Sequence, residues 1–379
     1  MQLELKIEKV AHGGVFVARP EGKVVFVEGA LPGEEVRAEV VDEKSSFRRA
    51  VVTEVITPSP HRQEHVWSDS KNGAGGAEFG HIEISYQRVL KTEVLREALL
   101  RLAKLESDVQ VEPLDDTNGL HYRTRIQVHY DKAGKPGVKR VRSDDLVEVK
   151  SLPLADEKLE QLALSNPGGF KNQRIAFAID SFGNFTPSDQ TPFLSQVVGS
   201  RLFELSPETF WQAHKAAPVA LVDDVLNKLS SFSPVEVTDL YGGAGLFGAS
   251  IAQNHPGLPV TSVELSKQSI KDGKRSSRDL KNLKFENSDV LQYLRRREQK
   301  MDTVVLDPPR SGANSKVLTQ LARLQAKNII YVACDPVAAA RDLAELTGLG
   351  YRLVELSALD LFPQTHHFET LLSLQLANL

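Results

Sequence analysis

Cys334 is the residue of this chain best suited to covalent chemistry, and it is the only cysteine among 379 residues. It follows an Asn-Ile-Ile-Tyr-Val run at 328–332, which predicts a buried strand of a parallel sheet because apolar and β-branched residues dominate it. In open α/β sheets, ligands bind at the carboxyl ends of such strands. A lone thiol is more often a small buried hydrophobic residue than a reactive one. The neighbouring segments must therefore indicate whether Cys334 has a catalytic or a packing role.

An acid followed by two prolines ends another predicted strand. The Thr-Val-Val-Leu run at 303–306 leads into Asp307, Pro308 and Pro309. The prolines stiffen the turn that leaves the sheet, and they thereby fix the direction of nearby polar groups. An ordinary proline-rich loop between a strand and a helix is the alternative, but the position at a strand end favours a role in ligand binding.

A glycine-rich turn predicts a site for an adenosine-containing cofactor. The strand-like run at 235–240 enters a Tyr-Gly-Gly-Ala-Gly-Leu-Phe-Gly turn at 241–248, and the next strand-like run ends at Glu264. Glycines let a ligand approach the backbone, and an acid at the end of the second strand can accept hydrogen bonds from two ribose hydroxyls. The turn also satisfies the G-x-G-x-x-G pattern, so by itself it leaves a nicotinamide dehydrogenase open.

Composition and charge narrow the function classes. The length favours two or three domains, and a single cysteine excludes both an intramolecular disulfide framework and a thiolate-ligated zinc or iron–sulfur site built by this chain alone. The sequence shows no signal-peptide core and no apolar stretch of membrane-spanning length, so we expect a cytoplasmic protein. The net charge of −4 argues against a uniformly basic nucleic-acid surface, but it is compatible with a local basic face.

The N-terminal third predicts a barrel and a helix. Short alternating runs separated by glycine and proline turns predict a small all-β barrel over residues 1–57. A glycine-rich loop at 68–81 follows, and an apolar stripe from about 85 to 105 predicts an amphipathic packing helix.

The segment from 121 to 142 predicts a local basic face. In an alternating strand, Arg123, Arg125 and Gln127 share one side, which could hold phosphates while the interleaved His121, Tyr122, His129 and Tyr130 stack on bases. A solvated, lysine-rich hairpin has the same pattern. The basic residues of this strip are Arg123, Arg125, Lys132, Lys135, Lys139, Arg140 and Arg142.

Three blocks in the last quarter of the chain resemble the signature blocks of the RNA 5-methyluridine methyltransferases. They are Leu-Asp-Pro-Pro-Arg at 306–310, Tyr-Val-Ala-Cys-Asp-Pro at 331–336 with Ala-Arg-Asp-Leu at 340–343, and Asp-Leu-Phe-Pro-Gln-Thr-His-His-Phe-Glu at 360–369. The Gly-Ala-Leu-Pro-Gly-Glu stretch at 29–34, with the runs at 51–55 and 58–62, resembles the TRAM domain. TRAM domains are OB-like modules of RNA-modifying enzymes and are taken to bind RNA.

The resemblance covers nearly the whole chain and implies a multidomain α/β fold. An N-terminal OB-like β-barrel (TRAM) precedes a central β-rich α+β domain and a C-terminal Rossmann-like class I methyltransferase domain. We expect the helix at 85–105 to pack on the methyltransferase domain. The predicted limits are 1–57 for the TRAM domain, 58–204 for the central domain with its RNA-contacting strip, and 205–379 for the S-adenosylmethionine-dependent methyltransferase domain.

The resemblance also implies a reaction, namely methyl transfer from S-adenosylmethionine to carbon 5 of a uridine in ribosomal or transfer RNA through a covalent cysteine adduct. Cys334 matches the nucleophile that attacks carbon 6, and Glu369 matches the base that removes the carbon 5 proton. His367 is a rival base. The positions matched to the cofactor are Gln212, Tyr241, Glu264, Asp289 and Asp307, of which the last lies between the cofactor and the target base.

Some positions depart from the family pattern. Asp335 stands where relatives commonly carry asparagine, and its charge opposes the thiolate-favouring N-terminus of a helix expected to begin at Pro336. We nevertheless expect the site to favour the thiolate, because a thiol with a pKa of roughly 8.5 is only a few per cent ionised at neutral pH. Leu246 stands where many relatives have a polar residue.

Some relatives carry an iron–sulfur cluster, and its four ligand positions correspond in this chain to Ser68, Ala74, Ala77 and Leu152. None of these residues has a thiol, so we predict no cluster and no metal site.

Two other functions remain open at this stage. Methylation of another RNA base or atom is one, because amino-group methyltransferases also use an acid followed by two prolines. A non-catalytic RNA-binding factor that retains the fold is the other. We expect RNA as the partner, no membrane association and a monomer.

Overall fold

The computed structural model describes residues 1–115, 118–140, 143–187 and 192–377. The N-terminal strands form one sheet in the order β1-β5-β6-β4-β3-β2, where the labels denote β1 (Gln2–Lys6), β2 (Lys9–Ala11), β3 (Val15–Ala18), β4 (Val24–Glu28), β5 (Glu35–Glu43) and β6 (Phe47–Thr57). The first two strands lie at opposite edges of that order, although only Ile7 and Glu8 separate them along the chain. The sheet must therefore curl into a barrel, as the turn spacing predicts.

One helix joins the barrel to the C-terminal sheet. The helix α1 (Ile84–Ala98) continues into a π-helical turn at Leu99–Ala103. Leu90 packs in the barrel core, whereas Leu95 and Leu99 pack in the core beneath the C-terminal sheet. The helix forms where its apolar stripe predicts it, and it contacts both domains.

A buried ion pair fixes α1 to the C-terminal sheet. Lys91 Nζ lies 2.5 Å from Asp360 Oδ1 and donates to the Phe362 carbonyl at 3.2 Å. Burial lowers the pKa of Lys91, and the neighbouring carboxylate opposes that shift. Because the desolvation of two charges offsets most of their attraction, such a pair fixes geometry more than it adds stability. The helix is thereby held against the segment that leads to Glu369.

The central part of the chain builds a second sheet. Its strands pair in the order β10-β9-β8-β11-β12 and pack, together with one helix, around the buried rings of Tyr122, Tyr130 and Phe177. The elements, with the preceding β7 and the following hairpin, are β7 (Val111–Pro113), β8 (Arg125–Tyr130), β9 (Pro136–Lys139), β10 (Leu146–Glu148), α2 (Glu157–Ser165), β11 (Gln173–Ile179), β12 (Phe185–Thr186), β13 (Leu194–Val198) and β14 (Arg201–Leu205).

The C-terminal part is an eight-stranded sheet in the order β17-β16-β15-β18-β19-β21-β20-β7. Its first five strands in that order are parallel, and β21 runs antiparallel between β19 and β20. The elements are α3 (Ala217–Ser230), β15 (Val237–Leu240), α4 (Leu246–Asn254), β16 (Val260–Glu264), α5 (Lys267–Ser276), β17 (Leu283–Asn287), α6 (Val290–Arg296), β18 (Thr303–Leu306), α7 (Ser315–Arg323), β19 (Asn328–Ala333), α8 (Pro336–Gly348), β20 (Tyr351–Asp360) and β21 (Glu369–Leu376).

Two segments assigned to the central domain from the sequence pack with the C-terminal sheet. β7 extends that sheet by pairing with β20. The β13–β14 hairpin packs Phe203 and Leu205 into the same core as Val260 and Val305. The domain limits at 57 and 204 stay a prediction. In the described part of the chain, no helix combines the length and the apolar character that crossing a membrane requires.

Candidate active site

Five of the predicted site residues meet at one edge of the C-terminal sheet. Tyr241, Asp307 and Cys334 directly follow β15, β18 and β19, and Glu264 is the last residue of β16. These strands are parallel, so their carboxyl ends share an edge. Glu369 begins the antiparallel β21, which brings it to the same edge. The arrangement is the crevice in which open α/β sheets bind ligands.

The glycine-rich turn and Glu264 form a preorganised cradle. Gly243 N donates to Glu264 Oε2 at 3.0 Å, and Ser266 N donates to Oε1 at 2.6 Å. Gly243 has a φ of 55°, and a Cβ placed there would meet no atom within 4 Å. Open space therefore lies over the turn, beside a carboxylate whose direction two backbone donors fix. Such a cradle fits a ribose with two free hydroxyls.

The second side of this cradle comes from the segment after β17. Ser288 N donates to the Glu264 carbonyl at 3.0 Å, and Asp289 caps α6 by accepting a hydrogen bond from Gln292 N at 2.9 Å. Leu265 exposes 66% of its surface beside Glu264, so it offers an apolar face to a flat base. Leu265 is not predictable from the sequence, because only its exposure distinguishes it from a core leucine.

Gln212 and Leu246 are both buried, and the residue before Gln212 shares a core with Leu246 of the glycine-rich turn. Gln212 is buried next to Trp211, whose ring packs in the same core as Ala244 and Leu246. Leu246 begins α4 with 8% of its surface exposed. Its role is therefore packing, which explains how an apolar residue is accommodated at this position.

A hydrogen-bonded network fixes the loop after Asp307. Asp342 Oδ2 accepts hydrogen bonds from Tyr331 Oη and Ala313 N, each at 2.7 Å. Arg341 donates to Asp342 Oδ1 and to the Ser311 carbonyl. One carboxylate thus ties the strand before Cys334, the helix after it and the Pro-Pro-Arg loop together. Residues 340–343 belong to one of the signature blocks, but the sequence alone predicts no role for Asp342.

Cys334 lies half-buried between β19 and α8. Pro336 occupies the first turn of α8, as predicted, and Asp335 caps the helix through hydrogen bonds from Val337 N and Ala338 N. Burial, followed by the charges of Glu369 and Asp307, raises the pKa of the Cys334 thiol to about 12. The expectation that the site favours the thiolate is therefore wrong for the free protein, since burial and acids outweigh the helix N-terminus.

Glu369 is a buried acid beside Cys334. Ala333 pairs with Thr370 across β19 and β21, so the next step along both strands places Cys334 opposite Glu369. Within the described residues, Glu369 Oε2 is buried and has no hydrogen-bond partner. Burial, and then the charge of Asp307, raises the pKa of Glu369 well above the usual range. A carboxylate with a raised pKa is a stronger base, and the unpartnered oxygen suits a ligand proton.

His367 is a poor alternative to this base. Burial, and then the neighbouring His366 and Arg310, lowers the pKa of His367 to about 3. An imidazole that stays neutral to such a low pH binds a proton weakly. The electrostatics of the site thus favour Glu369 over His367 as a proton acceptor.

Models of known families match the N-terminal and C-terminal parts of this chain. The family model described as tRNA (Uracil-5-)-methyltransferase matches residues 284–376, and the TRAM domain model matches residues 2–53. An uncharacterized RNA methyltransferase of Bifidobacterium longum is 32% identical over 98% of this chain and 96% of its own length. This chain belongs to the tRNA (uracil-5-)-methyltransferase family. An uncharacterized RNA methyltransferase of Bdellovibrio bacteriovorus is also 32% identical, over 99% of this chain and 95% of its own.

The fold of this RNA methyltransferase agrees with that of a solved structure. The Pyrococcus abyssi tRNA (uracil-54, C5)-methyltransferase, solved with S-adenosyl-L-homocysteine, superposes with a TM-score of 0.75. The match covers 98% of this chain and 100% of that chain at 21% identity. The predicted multidomain α/β architecture with an N-terminal TRAM domain and a class I methyltransferase domain is confirmed.

The methyltransferase also has a basic cleft between its central sheet and the segment before α3. Arg123, Arg125 and Gln127 line this cleft of about 1020 Å³, together with Phe210, which exposes 72% of its surface. Arg125 donates to the carbonyls of Pro207 and Thr209, and burial lowers its pKa to about 10. The predicted common side of the three strand residues is confirmed, and Phe210 adds an aromatic ring to it.

Other described residues of the predicted strip are divided between the protein core and an exposed hairpin. Tyr122 and Tyr130 are buried, and their hydroxyls donate to the carbonyls of Pro363 and Ala163. Their predicted stacking on bases is therefore wrong, because both rings belong to the core. Lys135 and Lys139 pair with Glu148 and Asp144 on an exposed hairpin, and Arg142 lies outside the described residues.

Three of the four positions that correspond to iron–sulfur ligands in some relatives are packed into an apolar core of this chain. Ala74, Ala77 and Leu152 are buried in one cluster with Trp67, and Ser68 begins a short 3₁₀ turn beside it. In the described ranges, no group of three or more potential metal-ligating side chains occurs. The absence of a cluster stays a prediction.

Proposed function

We propose that this methyltransferase transfers a methyl group from S-adenosylmethionine to carbon 5 of a uridine in RNA. The observation that carries the proposal is the pairing of Cys334 with a buried, unpartnered Glu369 oxygen at the edge that also holds the cofactor cradle. A thiol for carbon 6 and a base for the carbon 5 proton are the two groups that this reaction needs.

The cradle at the glycine-rich turn fits the proposed cofactor. S-adenosylmethionine supplies an electrophilic methyl group when bound. Glu264 would accept hydrogen bonds from the two ribose hydroxyls. Each of its carboxylate oxygens receives one backbone hydrogen bond and keeps a lone pair for a second. Asp289 and Leu265 lie beside it for the base, and Tyr241 begins the turn. Gln212 is proposed as a further cofactor contact on the family resemblance alone. Asp307 lies between this cradle and Cys334 in strand order.

Carbon 5 of uracil is a weak nucleophile, because the ring carbonyls withdraw its electron density. As Cys334 Sγ bonds to carbon 6, the double bond between carbons 5 and 6 becomes part of an enolate whose carbon 5 is nucleophilic. Carbon 5 then takes the methyl group, whose bond to the sulfonium sulfur breaks, so that S-adenosylhomocysteine is left. Glu369 removes the proton that remains on carbon 5, the double bond re-forms, and the bond between Sγ and carbon 6 breaks to return the cysteine.

Because the pKa of the Cys334 thiol is raised, a neighbouring acid must accept its proton. Cys334 must lose its proton as it attacks, because the free protein holds it as a thiol. Burial raises the pKa of Asp307 as well as that of Glu369, and both carboxylates are therefore better proton acceptors than ordinary acids. Asp307 takes the thiol proton, which neutralises its opposing charge and leaves Glu369 free for the carbon 5 proton. After elimination, Asp307 returns a proton to the released thiolate, and Glu369 loses its proton to solvent.

The central cleft fits the RNA strand next to the target nucleotide. Arg123 and Arg125 offer positive charge for phosphates, and the exposed Phe210 ring offers a stacking surface in the same cleft. A uridine in structured RNA must leave its stack to reach Cys334, which costs free energy. Stacking of protein rings on adjacent nucleotides offsets part of this unstacking free energy.

The proposal is tested by product analysis. Purified protein, methyl-labelled S-adenosylmethionine and transcripts of transfer and ribosomal RNA are incubated, and the RNA is digested to nucleosides. We expect the label in 5-methyluridine from one RNA class. Label in another nucleoside would favour methylation of a different base or atom, and RNA binding without any transfer to cellular or transcribed RNA would favour a non-catalytic factor.

Glu264 provides a prediction for the cofactor site alone. Replacing Glu264 by alanine should weaken S-adenosylhomocysteine binding by about 10-fold to 100-fold, because charged hydrogen bonds to the ribose are lost. Isothermal titration calorimetry measures the change. The control is Glu286→Ala, which removes an exposed glutamate of β17 whose backbone pairs with Val263. Equal affinity of Glu264→Ala and wild-type protein would place the ribose elsewhere.

A further inference from the structure

The turn between β2 and β3 of the TRAM barrel lies against the candidate active site. His12 Nε2 lies 2.8 Å from Asp335 Oδ2, and Asp335 is the residue after Cys334. Gly14 packs against His366, since a Cβ placed on Gly14 would lie 2.9 Å from His366 Nδ1. One turn of a separate domain thus touches the two segments that carry the proposed nucleophile and the proposed base.

The turn is itself held in place. Gly13 and Gly14 have φ values of 86° and 72°, which other residues adopt only with strain. On the preceding strand, Lys9 Nζ donates to both carboxylate oxygens of Glu97 on α1 at 2.7 Å. The barrel strand is therefore anchored to α1 independently of the contact between His12 and Asp335.

We propose that His12 is a positioning residue for Cys334, holding Asp335 so that this acid caps α8 and its charge is offset beside the thiol. The inference rests on the proposed role of Cys334 as the nucleophile. Asp335 uses Oδ1 for the cap, with hydrogen bonds from Val337 N and Ala338 N, and leaves Oδ2 for His12. The imidazole therefore completes the hydrogen bonding of this carboxylate without competing with the cap.

Charge supports the same assignment. The hydrogen bond to Asp335 raises the pKa of His12 above its usual 6.5, against an opposing effect of burial. Desolvation would raise the pKa of Asp335, but the hydrogen bonds that it accepts, led by that from His12, lower it instead. Both shifts favour the charged pair, and the positive charge is lost as the pH rises through the folded pKa of His12. The groups facing His12 and its turn are Asp335 of α8, Lys91 of α1, His366 and His367, with Lys9, Arg19, Glu97 and Arg101 along the adjoining groove.

The experiment uses the single cysteine of the chain. Thiol alkylation by iodoacetamide reports on Cys334 alone. Intact-protein mass spectrometry gives its rate without RNA or cofactor, from about pH 6 to about pH 9, after subtraction of the labelling that Cys334→Ala protein shows. We expect His12→Ala to slow alkylation about threefold to tenfold near neutral pH. The wild-type and variant rates should converge at high pH, where His12 is neutral in the wild-type protein.

Two further variants separate positioning from general loosening of the barrel. Lys9→Ala removes the other anchor of the same strand and should leave the rate unchanged. In an Asp335→Ala background, His12→Ala should change the rate by less than about twofold, because its partner is already absent. An unchanged or faster rate in His12→Ala, an equal loss in Lys9→Ala, or a full His12 effect without Asp335 would each overturn the inference. A protein that fails to methylate uridine would instead refute the proposed function, whatever the alkylation rates.

Discussion

Replacing Cys334 by alanine should abolish methyl transfer to RNA, with a loss of at least about 10⁴-fold, because no other side chain of the site can add to carbon 6. The fold should persist, since the substitution removes one sulfur atom from a half-buried position. Circular dichroism and S-adenosylhomocysteine affinity check that persistence. The loss is measured as turnover on the RNA class that the wild-type protein methylates.

A modified substrate makes this prediction specific to the covalent route. RNA with 5-fluorouridine at the target position should form a denaturation-resistant complex with the wild-type protein, and only when S-adenosylmethionine is present. After methyl transfer, carbon 5 carries fluorine instead of a proton, so Glu369 has nothing to remove and Sγ stays bonded to carbon 6. Cys334→Ala should form no such complex. A failure to trap wild-type protein on an RNA that it demonstrably methylates would refute the covalent adduct.

The position of Cys334 was predictable because strand ends obey simple rules. The apolar run at 328–332 and the Thr-Val-Val-Leu run at 303–306 form buried parallel strands of the C-terminal sheet. Residues that directly follow parallel strands share one edge of the sheet, so the apolar runs alone predict that Asp307 and Cys334 lie at the edge where ligands bind. The same rule located Glu264 beside the glycine-rich turn.

The ionisation of the site was not predictable in the same way. The sequence shows that α8 begins at Pro336, which favours a thiolate nearby. It does not show that the thiol is partly buried with Glu369 and Asp307 beside it, although burial of the thiol, followed by those two charges, raises its pKa instead of lowering it. Desolvation depends on contacts between segments that are far apart in the chain, and short patterns do not encode it.

Sequence patterns also do not predict contacts between domains. His12 lies in a glycine turn of the barrel, and no local pattern distinguishes it from a solvated histidine. The approach of this turn to Asp335 depends on α1, whose Leu90 packs in the barrel while Leu99 packs beneath the C-terminal sheet. Tyr130 illustrates a related limit, because alternation along β8 does not reveal which side of the strand is covered.

Glu369→Gln should stall the reaction after methyl transfer. Glutamine keeps the shape of the side chain but cannot remove the carbon 5 proton, so turnover should fall by about 10² to 10⁴-fold. With ordinary uridine RNA and S-adenosylmethionine, a covalent protein–RNA complex should accumulate, visible on denaturing gels with labelled RNA. The Cys334→Ala and Glu369→Gln double variant should form none.

A matched substitution distinguishes Glu369 from the neighbouring imidazole. His367→Asn should keep turnover within a few-fold of the wild-type value and accumulate no complex, because burial leaves His367 a weak base. Since burial raises the pKa of Glu369 above its usual 4.5, wild-type turnover should fall as the pH drops through that raised value. Normal turnover by Glu369→Gln, or a stalled complex in His367→Asn alone, would transfer the role of the base to another group. The two variants together therefore decide whether the buried, unpartnered oxygen beside Cys334 is the proton acceptor.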